Sequence, residues 1–157
     1  MSGFFRSKLK KIMELSPAEK RFCLRAAFRL TLIKLYLKIF PYRKVLEKTR
    51  RSAERSAASQ RAGEIGSLPS PEELGILLEK CARNLPFTFL CLPVALAGYV
   101  LFRRLGLDAD LKIGAKQSSR EGFFAHAWVE LDGRVLVGDL PDLGSYALFD
   151  NRQEFPD

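Results

Sequence analysis

The sequence predicts an α+β domain, on three observations. Helical periodicity and helix-capping signals run from Ser16 to Arg104. Period-two alternation begins at Ala109. An Asp132-Gly133 dipeptide between two apolar runs then marks a tight hairpin. Helices first and strands afterwards is the order expected of segregated α and β layers. With 157 residues, 47% hydrophobic and 28% charged, the chain has the size and composition of one globular domain.

Phe4, Phe5, Leu9, Ile12 and Met13 alternate with Lys8, Lys10 and Lys11, a pattern of a short basic amphipathic helix over Met1–Leu15. Ser16-Pro17-Ala18-Glu19 is a helix start. Serine caps, proline sits at the first helical position, and the glutamate completes a capping box. That helix should run to Phe40, where Pro41 stops it. Phe22, Ala26, Leu30, Ile33, Leu37 and Phe40 share one face; Leu24, Phe28, Leu32, Leu35 and Ile39 share the opposite one. Two apolar faces imply two packing partners, either both inside the domain or one outside it, a protein or an anionic membrane surface. Residues 43–62 are helix-compatible with few large apolar groups, so a solvent-exposed or mobile segment is expected. Gly63–Pro71 reads as a linker.

Ser70-Pro71-Glu72-Glu73 repeats the capping logic and opens a helix to about Arg83, with Leu74, Leu77, Leu78 and Cys81 facing the core. Leu85-Pro86-Phe87 breaks it. A strongly apolar helix follows from Cys91 to Phe102, closed by Arg103, Arg104 and Gly106. Ala109–Gly114 reads as a short strand, Lys116–Gly122 as a polar loop, and Phe123–Leu131 with Arg134–Asp139 as a hairpin. Tyr146–Phe149 supplies a last short strand.

Charge is uneven. Residues 1–62 hold 17 Lys/Arg against 4 Asp/Glu, whereas the remainder is acidic. The domain boundary is accordingly placed at 62/63, with a basic helical segment before it. Three cysteines without a secretory signal pattern point to a reducing, cytoplasmic setting. A single histidine excludes zinc sites built on several imidazoles, and no Gly-rich phosphate loop is present.

The chemistry therefore runs through His126. With Asp132 and Gly133 as the two turn residues, Leu131 faces Arg134 and His126 falls opposite Asp139, which could orient the imidazole. A single β-bulge would shift that register by one. Cys91 stands at a helix N-terminus, where unpaired amides and the helix dipole favour a thiolate. Its own amide could stabilise an oxyanion. Cys23 and Cys81 read as buried structural thiols.

The runs Cys91-Leu92-Pro93, Arg103-Arg104-Leu105-Gly106-Leu107, Leu111-Lys112-Ile113-Gly114 and His126-Ala127-Trp128-Val129-Glu130-Leu131-Asp132-Gly133-Arg134-Val135-Leu136 closely resemble the transglutaminase-like leader peptidases of lasso-peptide biosynthesis. The resemblance is dense over residues 71–140. It implies a papain-like/transglutaminase-like α+β core, in which the nucleophile helix packs on a small antiparallel sheet. The implied activity is a cysteine peptidase that removes the leader from a ribosomally made precursor. Cys91 is then the nucleophile, His126 the general base and acid, and Asp139 the orienting carboxylate. The family's acid often falls one residue earlier, where this chain has Gly138.

No metal or organic cofactor is implied. The implied partners are the precursor leader peptide, a separate leader-recognition protein and an ATP-dependent macrolactam synthetase. Peripheral contact with the inner membrane face is a further expectation for the basic helices, and nucleic acid is not expected. A transamidase of the same fold and a non-catalytic basic interaction module are the alternatives.

Overall fold

A computed structural model describes residues 15–58, 68–118 and 122–149. Nearly all of the helix expected over Met1–Leu15 lies outside the described residues, as do most of the Gly63–Pro71 linker and the end of the 43–62 segment.

Four helices lead into a small sheet: α1 (Pro17–Ile39), α2 (Tyr42–Ala58), α3 (Pro71–Asn84) and α4 (Cys91–Arg104). Both predicted capping boxes form. Ser16 Oγ accepts from Glu19 N–H at 3.2 Å while Glu19 Oε2 accepts from Ser16 N–H at 2.7 Å. Ser70 and Glu73 repeat the exchange at 3.3 and 2.9 Å. Each pair satisfies two helix-end amides that would otherwise lack partners. The Ser16 amide and hydroxyl also draw the Glu19 carboxyl below the ordinary carboxylate range.

The sheet is antiparallel, in the order β3-β2-β1-β4, from β1 (Asp110–Ser118), β2 (Gly122–Leu131), β3 (Arg134–Val137) and β4 (Ala147–Leu148). β1 is longer than expected. It pairs with β2 from Asp110↔Glu130 to Ser118↔Gly122, so the polar residues Lys116 to Ser118 belong to a strand. A ladder built on backbone groups needs no apolar side chains to extend it.

Ala127, Val129 and Leu131 of β2, with Leu111 and Ile113 of β1, face the helices and join one hydrophobic core. Phe22, Ala26, Leu30 and Ile33 of α1, Leu74 and Leu78 of α3, and Leu96, Leu101 and Phe102 of α4 complete it. Burial of each large side chain there stabilises the fold by about 1.5–3 kcal/mol.

The two faces of α1 part company. Phe22, Ala26, Leu30 and Ile33 of the first are buried while Phe40 at its end is exposed, and on the second Leu24, Phe28, Leu35 and Ile39 are 53% to 73% exposed. The expectation for residues 43–62 needs correction. Val45, Leu46, Thr49 and Ala53 of α2 are buried, with Val45 and Leu46 in the same core as the α3–α4 residues. A stripe of two large apolar groups suffices when a neighbouring helix covers it.

Two close approaches seat α3 on β3. A Cβ added at Gly75 would meet the Leu136 carbonyl oxygen at 1.9 Å, so only glycine allows the backbones this near. One helical turn on, Glu79 Oε1 accepts from Gly138 N–H at 2.9 Å. Between α1 and α3, the Cys23 and Cys81 thiols hydrogen-bond to each other, and both are half-buried.

Candidate active site

Cys91 is the first residue of α4, as its sequence context implied. The preceding Leu90 offers no side-chain cap. Pro93 removes one of the helix's initial amide donors, which leaves the N–H groups of Leu90, Cys91 and Leu92 without a partner inside the helix. Cys91 is half-buried. Its approach segment is pinned from α1. Lys34 Nζ donates to the Thr88 carbonyl at 2.7 Å and lies 5.2 and 5.0 Å from the ring centres of Phe87 and Phe89. Pro93, Ala95 and Leu96 anchor the helix behind it.

His126 sits on β2 opposite Gly114. Its Nε2 lies 2.7 Å from the Gly138 carbonyl oxygen. A carbonyl can only accept, so Nε2 carries the proton and Nδ1 is the basic atom of the neutral ring. Gly138 is at φ +80°, and a Cβ there would come within 2.9 Å of the Ala127 carbonyl oxygen. Glycine is therefore required for this carbonyl to reach the ring.

The expected pairing of His126 with Asp139 is not realised. Val129 pairs with Val137 while Glu130 pairs with Val135, which leaves Leu136 as an extra residue in β3. This β-bulge ends the ladder at Val137 and turns Asp139 out to solvent. Among the described residues Asp139 makes no recorded hydrogen bond or ion pair with His126. The Gly138 carbonyl occupies the orienting position instead.

Asp142 lies past Pro141, beyond the hairpin ladder. In the structure, the Asp142 carboxylate is ion-paired with Lys116. That hydrogen bond, with a smaller contribution from the charge of His126, holds its carboxyl below the ordinary range. Asp142 is thus a carboxylate within electrostatic reach of the imidazole. Tyr146 and Trp128 complete the surround, with ring centres 5.8 and 6.0 Å from His126. Trp128 Nε1 donates to Glu130 Oε1 at 2.6 Å, and Lys116 Nζ lies 4.9 Å from the centre of the Tyr146 ring. The sequence signal for these residues was the short Tyr146–Phe149 strand. β4 pairs with β1 through Gly114↔Leu148, which brings Tyr146 beside the histidine.

The structure brings His126, Gly138, Asp142, Tyr146 and Trp128 together on the side of β2 opposite Ala127 and Val129. Cys91 opens the helix that covers the other face. Among the described residues no contact joins thiol and imidazole, yet both lie at the same end of the sheet. A Cβ at Gly98 would touch Val137, which pairs with Val129, and α4 ends beside the turn into Asp110. From that level, α4 runs back seven residues to Cys91, about 10.5 Å. Its companion β2 runs back three residues to His126, about 10 Å.

None of the described groups of His, Cys, Asp and Glu could hold a metal ion. No helix among the described residues is long and apolar enough to cross a membrane. No curated protein matches the chain, and no solved structure does. A family model for the transglutaminase-like superfamily matches residues 21–148, from the first turns of α1 to the end of β4. It thus takes in both the helix that begins at Cys91 and the strand that carries His126. That match, over an α+β chain with a four-stranded antiparallel sheet, shows that the chain belongs to the transglutaminase-like superfamily.

Proposed function

We propose that the chain is a cysteine peptidase that removes the leader from a ribosomally made lasso-peptide precursor. Superfamily membership points to acyl transfer of the cysteine-peptidase or transamidase kind. The observation that carries the reading to a residue is Cys91 at the uncapped start of α4. The amides left without a partner inside the helix are donors open to an oxyanion formed beside the thiol. The narrower substrate assignment is supported by the sequence resemblance, from Cys91-Leu92-Pro93 to the run His126–Leu136.

In this mechanism the Cys91 thiolate attacks the scissile carbonyl carbon. The resulting oxyanion takes hydrogen bonds from first-turn amides of α4. Nδ1 of His126 takes the thiol's proton, which requires the start of α4 and the His126 end of the sheet to close on one another around the bound substrate, and gives that proton to the departing amine of the core peptide. Water, deprotonated by the same nitrogen, then hydrolyses the thioester and releases the leader carboxylate. The Gly138 carbonyl keeps Nε2 as the donor throughout, so only Nδ1 exchanges protons. A leader-recognition protein would deliver the precursor, and a macrolactam synthetase would close the released core.

Alkylation at about pH 6, mapped by mass spectrometry, tests the proposal. Rapid labelling confined to Cys91 and lost in His126→Ala is the expected result. It should be matched by leader cleavage when precursor and recognition protein are supplied, and by no cleavage with Cys91→Ala. Equal, slow labelling of Cys23, Cys81 and Cys91, with leader cleavage unaffected by Cys91→Ala, would overturn it.

A further inference from the structure

A groove of about 970 Å³ opens between α1, α2 and the C-terminal end of α4. This is at the upper end of the volumes found for small-ligand sites, so it can take several residues of peptide. Its lining is one-sided in charge. Seven of its thirteen residues are Lys or Arg, and Glu47 is its one carboxylate. Lys44, Arg51 and Arg55 stand along α2, Arg25 and Arg29 along α1, and Arg104 closes the end. The cations on the inner wall crowd one another. Burial and then the neighbouring Arg104 charge push the Arg29 guanidinium below its ordinary value, and burial and then Arg25 do the same to Arg104.

Between the cations the lining is apolar. Phe22, Leu101 and Leu105 line it, and Phe28 stands beside them 64% exposed. A recess lined by seven cations and one carboxylate concentrates positive potential and draws anionic groups into it. A recess does not suit a bilayer, whose headgroups would meet the rim while the inner cations stayed out of reach. The apolar lining does not suit a bare phosphate. Both features suit carboxylates and apolar side chains on one strand of peptide.

We propose that this groove binds an acidic peptide segment in which Asp or Glu alternates with large apolar residues. The site lies on α1, α2 and the far end of α4, so it is independent of the reaction at Cys91 and is measured without it. Peptide carboxylates would bridge the α1 and α2 walls while an apolar side chain covers Phe28 and Leu101.

The test is fluorescence anisotropy of a dye-labelled twelve-residue peptide, a fourfold repeat of Glu-Leu-Asp, with the full chain. Binding should weaken about tenfold or more in Lys44→Glu/Arg55→Glu, two exposed positions on the groove wall. The same change of charge outside the groove, Lys80→Glu/Lys112→Glu, should alter it less than twofold. Circular dichroism and an unchanged melting temperature confirm that each variant is folded. Equal weakening by both double variants would reduce the effect to net charge and overturn the site. So would full displacement by millimolar inorganic phosphate. No peptide binding, with anionic phosphatidylglycerol vesicles bound in its place and released by the groove variant, would transfer the surface to membranes and also overturn the proposal.

Discussion

Gly138→Ala should be far costlier than the loss of one hydrogen atom suggests. Gly138 is at φ +80°, where a side chain is strained by about 1–2 kcal/mol. The new methyl carbon would start 2.9 Å from the Ala127 carbonyl oxygen and 3.1 Å from Trp128 Cβ, both on the inner strand β2, which cannot give way. β3 must therefore move, and the Gly138 carbonyl moves with it. A part-buried His126 N–H then loses its acceptor, at a cost of about 1 kcal/mol. Together these predict a destabilisation of about 2–4 kcal/mol, read as the shift in urea midpoint by far-UV circular dichroism at unchanged m-value. Alkylation of Cys91 in the same variant reports whether orientation of the ring matters to the thiol. A variant within 0.5 kcal/mol of the parent would refute the argument, because neither strain nor collision could then be present.

Gly75→Ala should be at least as damaging, about 3 kcal/mol or more, because the methyl would meet a backbone oxygen at 1.9 Å. Thermal unfolding checks it, and a melting temperature within a degree or two of the parent would contradict it. The Asp142 carboxyl should titrate below about 3.9, the ordinary aspartate value, when followed by ¹³C NMR, and should return towards it in Lys116→Met. The sign follows from a lowered folded-state value. Whatever the pair adds to stability is present above the unfolded carboxylate pKa and is lost as pH falls through the folded one. Lys116, raised chiefly by the Asp142 hydrogen bond, closes the window at the alkaline end, as pH climbs through its own folded value.

Local signals were the legible ones. Ser16 and Ser70 announce two helices because a capping box needs only four consecutive residues. Cys91 could be placed at a helix start from Leu85-Pro86-Phe87 before it and the apolar run after it. Asp132-Gly133 gave the turn, and the first pairs of the hairpin follow from it: Leu131 faces Arg134 and Glu130 faces Val135. The register failed one step later. Val135, Leu136 and Val137 are all apolar, so alternation does not say which of them points inward. In the fold Leu136 and Val137 are both buried, and Leu136 is the extra residue of the bulge. The assignment of Asp139 rested on the unbulged register.

The other gaps are matters of tertiary context. The buried stripe of α2 is too narrow to outweigh its charged neighbours when read alone. Asp142 and Tyr146 reach His126 only because β4 returns to pair with β1, across a separation in sequence that no local pattern encodes.

Gly75 and Glu79 meet Leu136 and Gly138, so four residues of helix are matched to two of strand. Four helical residues advance about 6.0 Å and two strand residues about 6.6 Å, nearly the same length. The two elements engage like the teeth of a rack and pinion, and each contact sets the phase of the other. Insertion or deletion of a single residue between Gly75 and Glu79, or between Leu136 and Gly138, would rotate or slide one row out of step and unseat both contacts. The gauge of that mesh, more than the identity of the surrounding apolar residues, limits how lengths can vary in this part of the fold.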